Sequence, residues 1–436
     1  MSYNASIPLS KPLTAADEEA TYAKVTWRLM PFLFVCYVVA YLDRVNVGFA
    51  KLQMLTDLKF SETAYGLGAG IFFIGYFLFE VPSNVLMYRV GARAWIARIM
   101  ITWGIISGMM MFVSSPTHFY ILRFLLGVAE AGFFPGIILY LTYWYPSHRR
   151  GKMVALFMTA NPVSGVIGGP LSGWILNSFA GLYGWAGWQW LFLIEALPSI
   201  VMGIAVFFYL DDGIRKANWV SEGPKQILEK NIESEAGQKE DHSVFGVFRS
   251  GKVWLISLIH FCLVMGVYGI GFWLPSIIRA TGVKDAFDVG LLTMIPYGAA
   301  IVAMILVSRS ADKHRERRWH LAVAAVIGGI GLIFSAIYSD HTMLAMAGLT
   351  VATAGIISSL PVFWSLPTAF LGGTAAAAGI ALINSVGNLA GFVSPYLIGW
   401  IKDVTQSTNI GVYMLAGALF AGAVLVLTVP ARLVNK

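Results

Sequence analysis

Apolar runs of about 20 residues, the length a helix needs to cross the hydrocarbon core of a bilayer, recur twelve times along this chain. They cover roughly 29–50, 65–88, 95–114, 118–144, 152–176 and 188–210 in the first half. In the second they cover 253–278, 287–308, 319–338, 342–364, 372–400 and 409–430. Charged residues make up only 12% of the chain and hydrophobic residues 57%, whereas soluble domains carry about 25% charged residues. The expectation is an all-α polytopic membrane protein with twelve transmembrane helices.

The first 28 residues are polar and hold Pro8, Pro12 and the acidic run Asp17-Glu18-Glu19. They lack the basic head, short apolar run and small-residue site of a secretory signal, so the first apolar run is expected to remain as a span. Residues 211–251 form the one long polar stretch between spans, rich in both signs of charge and expected to be helical at 222–235. The organisation read from this pattern is an N-terminal segment 1–28, a six-helix bundle 29–210, a central loop 211–251, a second bundle 252–431 and a tail 432–436. Lys and Arg concentrate in cytoplasmic loops. An inside N-terminus leaves only Lys51, Lys59, Arg279, Lys284 and Lys402 outside, with Arg44 and Arg123 inside spans. Both termini are therefore expected in the cytoplasm. The positions of the basic residues explain the net positive charge, and no nucleic-acid partner is needed.

The halves echo one another. Span five reads GVIGGPLSGWI (165–175) and span eleven GFVSPYLIGWI (391–401). A six-helix unit used twice, with a long central loop, is the pattern of a duplicated transporter whose substrate lies near the midplane between the halves. Gly165, Gly169 and Gly173, and again Gly387 and Gly391, repeat every four residues. Small residues at that spacing let helices approach closely.

Ionisable residues stand out against this background. A charge at the centre of a span costs about 2.5–3.5 kcal/mol on the insertion scale, and the chain keeps Asp43, Arg44, Arg123 and Glu130. They could serve as structural ion pairs or as a substrate and proton path; intramembrane charges favour the second. Asp43 and Arg44 are adjacent, so they point about 100° apart on the helix and cannot simply neutralise each other. Arg123 and Glu130 lie on one face of span four, about 10 Å apart in rise. Loss of water favours the protonated form of a carboxyl group and a nearby arginine favours the charged form. A carboxyl group whose arginine is taken over by an anionic substrate would therefore carry a proton.

Further polar groups share this depth: Tyr76, Asn161, Asn384, Ser385 and Asn388. Interhelical hydrogen bonds would explain each of them; a hydroxylated anion would also suit their hydroxyl and amide groups. Trp364 could line a site or anchor at the interface. Tyr268, Trp273 and Tyr297 are weaker candidates. Glu80 is expected to make a gate or loop contact near Arg89 and Arg93. Glu195 has no assigned role, and His260 reads as a hydrogen-bonded bundle residue. Cys36 and Cys262 sit in separate apolar segments and are expected to be packing residues. No GxSxG, HExxH, Walker loop or dinucleotide fingerprint appears, so no enzyme, metal or cofactor is expected.

The segments YLDRVNVGFA (41–50), RVGAR (89–93), RFLLGVAEAGFFPGIILYLTYWYP (123–146) and SLPTAFLGGTAAAAGIALINSVGNLAGF (365–392) resemble the major facilitator superfamily. More narrowly they resemble its anion:cation symporters, in the tartrate, phthalate and sugar-acid permease subgroup. The pairing of LDR in the first span with Arg-x6-Glu in the fourth carries the likeness. It implies proton coupling at Asp43 and Glu130, with Arg123 modulating Glu130 and closing the outer side. It further implies that Arg44 holds the substrate carboxylate and that Tyr41, Tyr76, Asn161, Trp364 and Asn384 line its cavity; Asn388 joins these from its position alone. The superfamily's loop motif is partly kept at Arg89 and Arg93 and again at Asp312 and Arg317, which the resemblance places in gating. The expected protein is a monomeric, proton-coupled importer of a small carboxylate in the cell inner membrane, with the proton as its coupling ion. The rival expectations are a drug/proton antiporter, to which GxxxGP at 165–170 is similar, and a ligand sensor that no longer transports.

Overall fold

The computed structural model describes residues 15–236, 249–370 and 373–434. Among the described residues, twelve helices are long and apolar enough to cross a membrane. Spans 1 to 6 are Ala16–Leu58, Glu62–Val90, Ala92–Phe112, Pro116–Thr142, Ser147–Ser178 and Gly187–Tyr209. Spans 7 to 12 are Gly251–Ala280, Ala286–His314, Arg318–Ile337, Thr342–Pro367, Gly379–Thr405 and Thr408–Thr428. Helices satisfy every backbone group internally, as a lipid environment demands. An even number of crossings returns the chain to the side on which it began, here called the terminal face; the opposite side is the distal face. The polarity is that of a membrane protein: Ile105, Val201, Leu306 and Val424 project outward, while Asp43, Arg44, Arg123, Glu130 and Glu195 are buried. Cys36 and Cys262 are buried and unpaired.

Several helix ends depart from the apolar runs for local reasons. The helix of span 1 starts at Ala15, well before residue 29, with Asp17 and Glu18 in its first turn. Acidic residues there complement the helix dipole. Glu18 also accepts a hydrogen bond from Asn231 of the polar helix Glu222–Ala236, and Arg149 pairs with Glu18 and Glu19. Span 4 consists of two pieces, Pro116–Glu130 and Phe133–Thr142. Gly132 between them has φ +88°, a left-handed conformation that glycine adopts without strain. Pro135 falls in the first turn of the second piece, where its missing N–H leaves no intrahelical bond unmade. This hinge ends the first piece at Glu130.

The two halves meet along two distal seams, span 2 against span 11 and span 5 against span 8. Glycines make both seams. A Cβ on Gly66 would lie 2.3 Å from the Pro395 carbonyl oxygen, and one on Gly169 would lie 2.6 Å from that of Gly290. Gly165 and Gly173 face Tyr297 and Ala286 on the same seam.

Charges latch the distal end. Lys51 pairs with Glu62 at 2.6 Å, and Glu62 pairs with Lys402 of span 11. The Lys51 ammonium lies 3.4 Å from the Trp273 ring centroid. Asp403 accepts from the backbone N–H of Thr63 at 2.8 Å, at the start of span 2, and Asn177 donates to Asp285 at 2.6 Å. Lys51 and Lys402 therefore lie within helices at the seam rather than in loops, and Lys51 is buried.

These contacts hold the distal side shut and can only do so while the seam residues stay small. Gly66→Leu is expected to force the halves apart distally. Labelling of Thr293→Cys on the other seam, in a background without Cys36 and Cys262, by a membrane-impermeant maleimide should then rise on the order of tenfold. Unchanged labelling would show that the seams do not move together.

Candidate functional site

Arg44 is buried in span 1, so its guanidinium is stabilised by acceptors in neighbouring helices. Its Nε donates to Glu130 Oε1 at 3.1 Å, and its Nη2 pairs with the same oxygen. Its Nη1 donates to the Tyr268 hydroxyl at 3.3 Å, and that hydroxyl in turn donates to Asn388 Oδ1 at 3.5 Å. The rings of Phe72, Tyr76 and Tyr41 have their centroids 5.4, 5.5 and 5.8 Å from the guanidinium carbon. Aromatic faces at this range stabilise a desolvated cation. The bridge through Tyr268 joins the first half of the chain to the second.

Arg44 also borders a central cavity of about 80 Å³ between the halves. Tyr41, Tyr76 and Asn161 line it from the first half; Trp364, Asn384 and Asn388 line it from the second. All seven residues expected to bind substrate thus surround one space. Tyr37, His260 and Tyr268 line it as well. The sequence did carry a signal for the last two: His260, Val264, Val267 and Tyr268 follow helical spacing on span 7, the counterpart of span 1, and all four face the cavity. The His260 ring stacks on Phe363 at 4.5 Å and meets Trp364 edge-on at 5.0 Å. Its Nδ1 lies 3.2 Å from the Ile383 carbonyl oxygen. Trp364 is therefore a cavity wall.

The proton-coupling candidates stand behind this wall in different settings. Glu130 backs Arg44. Asp43 points away from the cavity into spans 3 and 6, where it accepts from Trp103 Nε1 at 3.0 Å, Ser107 Oγ at 2.9 Å and Ser199 Oγ. Arg123 is fully buried and donates to the carbonyl oxygens of Gly68 and Ala69, both at 3.2 Å. Among the described residues, its hydrogen bonds go to these carbonyls and not to Glu130. Glu130 has a single hydrogen-bonded basic partner, Arg44, among the described residues.

The residues expected to gate lie apart. Glu80 was expected beside Arg89 and Arg93; instead it is buried and crosses to span 11, accepting from Asn384 Nδ2 at 2.8 Å and Ser385 Oγ at 3.4 Å. Span 2 turns this face inward, whereas Arg89 is exposed. The backbone N–H of Arg93 donates to Asp212 Oδ1 at 3.0 Å, and its side chain lies over Phe207. Asp212 thus caps the start of span 3 from the central loop. Asp312 is exposed at the end of span 8, and Arg317 donates to the Val434 carbonyl oxygen at 3.5 Å. Among the described residues, no hydrogen bond or ion pair joins Arg89 or Arg93 to Asp312 or Arg317.

The comparisons decide the family. The model of the Major Facilitator Superfamily matches residues 33–395. The chain belongs to that superfamily. A provisionally named metabolite transport protein of Pseudomonas putida, NicT, is 51% identical over 420 residues, covering 96% of each chain. A provisionally named tartrate transporter of Agrobacterium vitis is 50% identical over 94% of this chain and 91% of its own. A quinolone resistance transporter of Acinetobacter baumannii is 41% identical over 95% of this chain and 96% of its own. Among solved structures, the xylose transporter XylE of E. coli in a partially occluded inward-open conformation superposes with a TM-score of 0.71 at 14% identity, over 93% of this chain and 99% of that one. The protein is a multi-pass membrane transporter of the Major Facilitator Superfamily for a small-molecule substrate, and not an enzyme.

The Arg44–Glu130 pair makes a stability prediction. Removing one partner of a buried pair costs about 3–5 kcal/mol, because the other is left buried and unpaired. Arg44→Met and Glu130→Met should each lower unfolding stability in detergent by about this much, while the double substitution should recover most of it. Additive losses would mean that the two residues do not act as a pair.

Proposed function

We propose that this transporter is a proton-coupled importer of small organic anions in a bacterial inner membrane, with the terminal face in the cytoplasm. The observation that carries the reading is the double placement of Arg44: it borders the central cavity and is held by the carboxylate of Glu130. A substrate carboxylate arriving at Arg44 competes with Glu130 for one guanidinium. Two buried carboxylates beside one cation are unfavourable. Protonation of Glu130 removes that conflict and frees Arg44 for the substrate. Binding of the anion and uptake of a proton are then one event.

The cavity surface suits such a ligand. Arg44 offers a bidentate fork for a carboxylate. The tyrosine hydroxyls and the amides of Asn161, Asn384 and Asn388 fit the hydroxyls of tartrate-like diacids or sugar acids, and the rings of Tyr41, Tyr76 and Trp364 fit an aromatic carboxylate. The A. vitis relative's name favours the first of these classes. Lys and Arg concentrate at the terminal face, as cytoplasmic loops do. Moving an uncompensated negative charge inward against an inside-negative potential costs about 2.3 kcal/mol per 100 mV, so at least one proton per charge is expected. A rocking motion opens the distal seams and closes the terminal side; the protein acts as a monomer with the proton as its coupling ion. Glu80 with Asn384, and Arg44 with Tyr268, are polar contacts between halves at the cavity that would reorganise as it rocks, along with the distal latch of Glu62 with Lys402, Thr63 with Asp403 and Asn177 with Asp285.

A drug/proton antiporter is the second reading, favoured by the relatedness to the A. baumannii protein. Arg44 weighs against it, since a buried cation repels typical cationic drugs.

Purified protein in liposomes loaded with a pH dye separates the two. External tartrate, a hexonate or an aromatic carboxylate should acidify the lumen, and Glu130→Gln should reduce the rate on the order of 100-fold. Failure of all three anions, together with proton-driven dye or quinolone efflux, would overturn the importer reading.

A further inference from the structure

His260 lines the central cavity but has no task in the scheme so far. It sits on span 7 two helical turns before Tyr268, about 12 Å away in rise, and Val264 and Val267 line the cavity between them. Tyr268 marks the Arg44 end of the space, because its hydroxyl accepts from that guanidinium. His260 marks the end nearer the terminal face, from which span 7 starts. Its ring is fixed from several sides. Phe363 stacks on one face at 4.5 Å and Trp364 meets it edge-on at 5.0 Å. Span 11 closes the Nδ1 edge, where Gly387 leaves the room that a Cβ would take. Nδ1 lies 3.2 Å from the Ile383 carbonyl oxygen. A carbonyl oxygen can only accept, so Nδ1 carries the hydrogen, and in a neutral imidazole Nε2 is then an acceptor. Among the described residues no carboxylate bonds to the ring, and a buried imidazolium without one is unfavourable, so the neutral ring fits this setting. Nε2 has no hydrogen-bond partner among the described residues and is not sealed by protein atoms. It opens on the cavity that the ring lines.

The groups beside His260 have the same polarity. Asn384 follows Ile383 and lines the same space, and its Nδ2 is engaged by Glu80 at 2.8 Å, which leaves the acceptor Oδ1 without a hydrogen bond. Among the described residues that line the cavity, Arg44 alone carries a permanent charge. One substrate carboxylate occupies it, and one proton on Glu130 offsets that one negative charge. A second carboxylate at the His260 end would meet an imidazole lone pair and an amide oxygen, with the Glu80 carboxyl group behind them and no cation. A buried charge left unpaired is strongly unfavourable. We propose that His260 is the specificity-determining residue at the far end of the cavity: its Nε2 accepts a hydrogen bond from a hydroxyl or N–H of the substrate, and so selects a monocarboxylate with a remote donor against a dicarboxylate. The inference rests on the organic-anion reading above and narrows its substrate class; within the hydroxylated acids it favours sugar acids over tartrate-like diacids. The Ile383 carbonyl then fixes the tautomer, and Phe363 and Trp364 hold the plane of the ring.

The test is calorimetric binding to the purified full-length protein with tartrate and two matched pairs of anions. One pair is a hexonate and the hexarate of the same configuration; the other is 4-hydroxybenzoate and terephthalate. In each pair one member has a carboxylate where the other has its remote hydroxyl. On whichever frame fits, the hydroxyl member should bind more tightly on the order of 100-fold. His260→Phe keeps an aromatic ring against Phe363 but has no acceptor. It should weaken the hydroxyl member on the order of tenfold and leave the dicarboxylate unchanged. His260→Gln has an amide that can donate to the Ile383 carbonyl and still present an oxygen, and it should restore most of that loss. Equal or tighter binding of the dicarboxylates or of tartrate would overturn the assignment while leaving anion import intact. So would a parallel loss of both members of a pair in His260→Phe. No binding of any of the five anions would overturn the organic-anion reading as well.

Discussion

The arrangement of this transporter depends on one desolvated cation. Arg44 is buried beside the central cavity, and the surrounding helices are organised to satisfy it: Glu130 from span 4, Tyr268 from span 7, and the faces of Phe72, Tyr76 and Tyr41. Because Tyr268 belongs to the second half, the same cation ties the halves together across the cavity. A buried pair of this kind contributes little net stability compared with apolar packing. What it supplies is a site that changes partner when an anion and a proton arrive.

The seams supply the second requirement, a structure with two packings. Helices joined by glycine-to-carbonyl contacts, as at Gly66 and Gly169, meet over nearly flat backbone surfaces and separate without disentangling side chains. The ion pairs of Lys51, Glu62 and Lys402 add a polar latch at the distal end. At the other end of the cavity, Glu80 and Asn384 bridge spans 2 and 11. Closure at one end and a lighter polar bridge at the other describe one of the alternating states, and rigid-body motion of the halves converts it into the next.

Much of this was legible in the chain. Twelve apolar runs specify twelve helices because lipid leaves the backbone no alternative. The adjacent pair Asp43 and Arg44 had to diverge by about 100°, and they do, one toward spans 3 and 6 and the other toward the cavity. The stripe of polar positions at Tyr41, Tyr76, Asn161, Asn384 and Asn388 likewise converges on one space. Partner choice across helices was not legible. Glu80 is nine residues from Arg89 in sequence, yet its partner is Asn384, because helix rotation outranks sequence distance. Lys51 and Lys402 looked like loop charges, since the seam that buries Lys51 exists only once the halves pack.

The central claim is that a substrate carboxylate takes Arg44 only as Glu130 takes a proton. Calorimetric titration of the purified protein with its carboxylate substrate, repeated in buffers of different ionisation enthalpy, measures the protons bound per ligand directly. The account predicts uptake of close to one proton per ligand at near-neutral pH, and close to none in Glu130→Gln, which still binds. Binding to the parent protein with no proton uptake would contradict it.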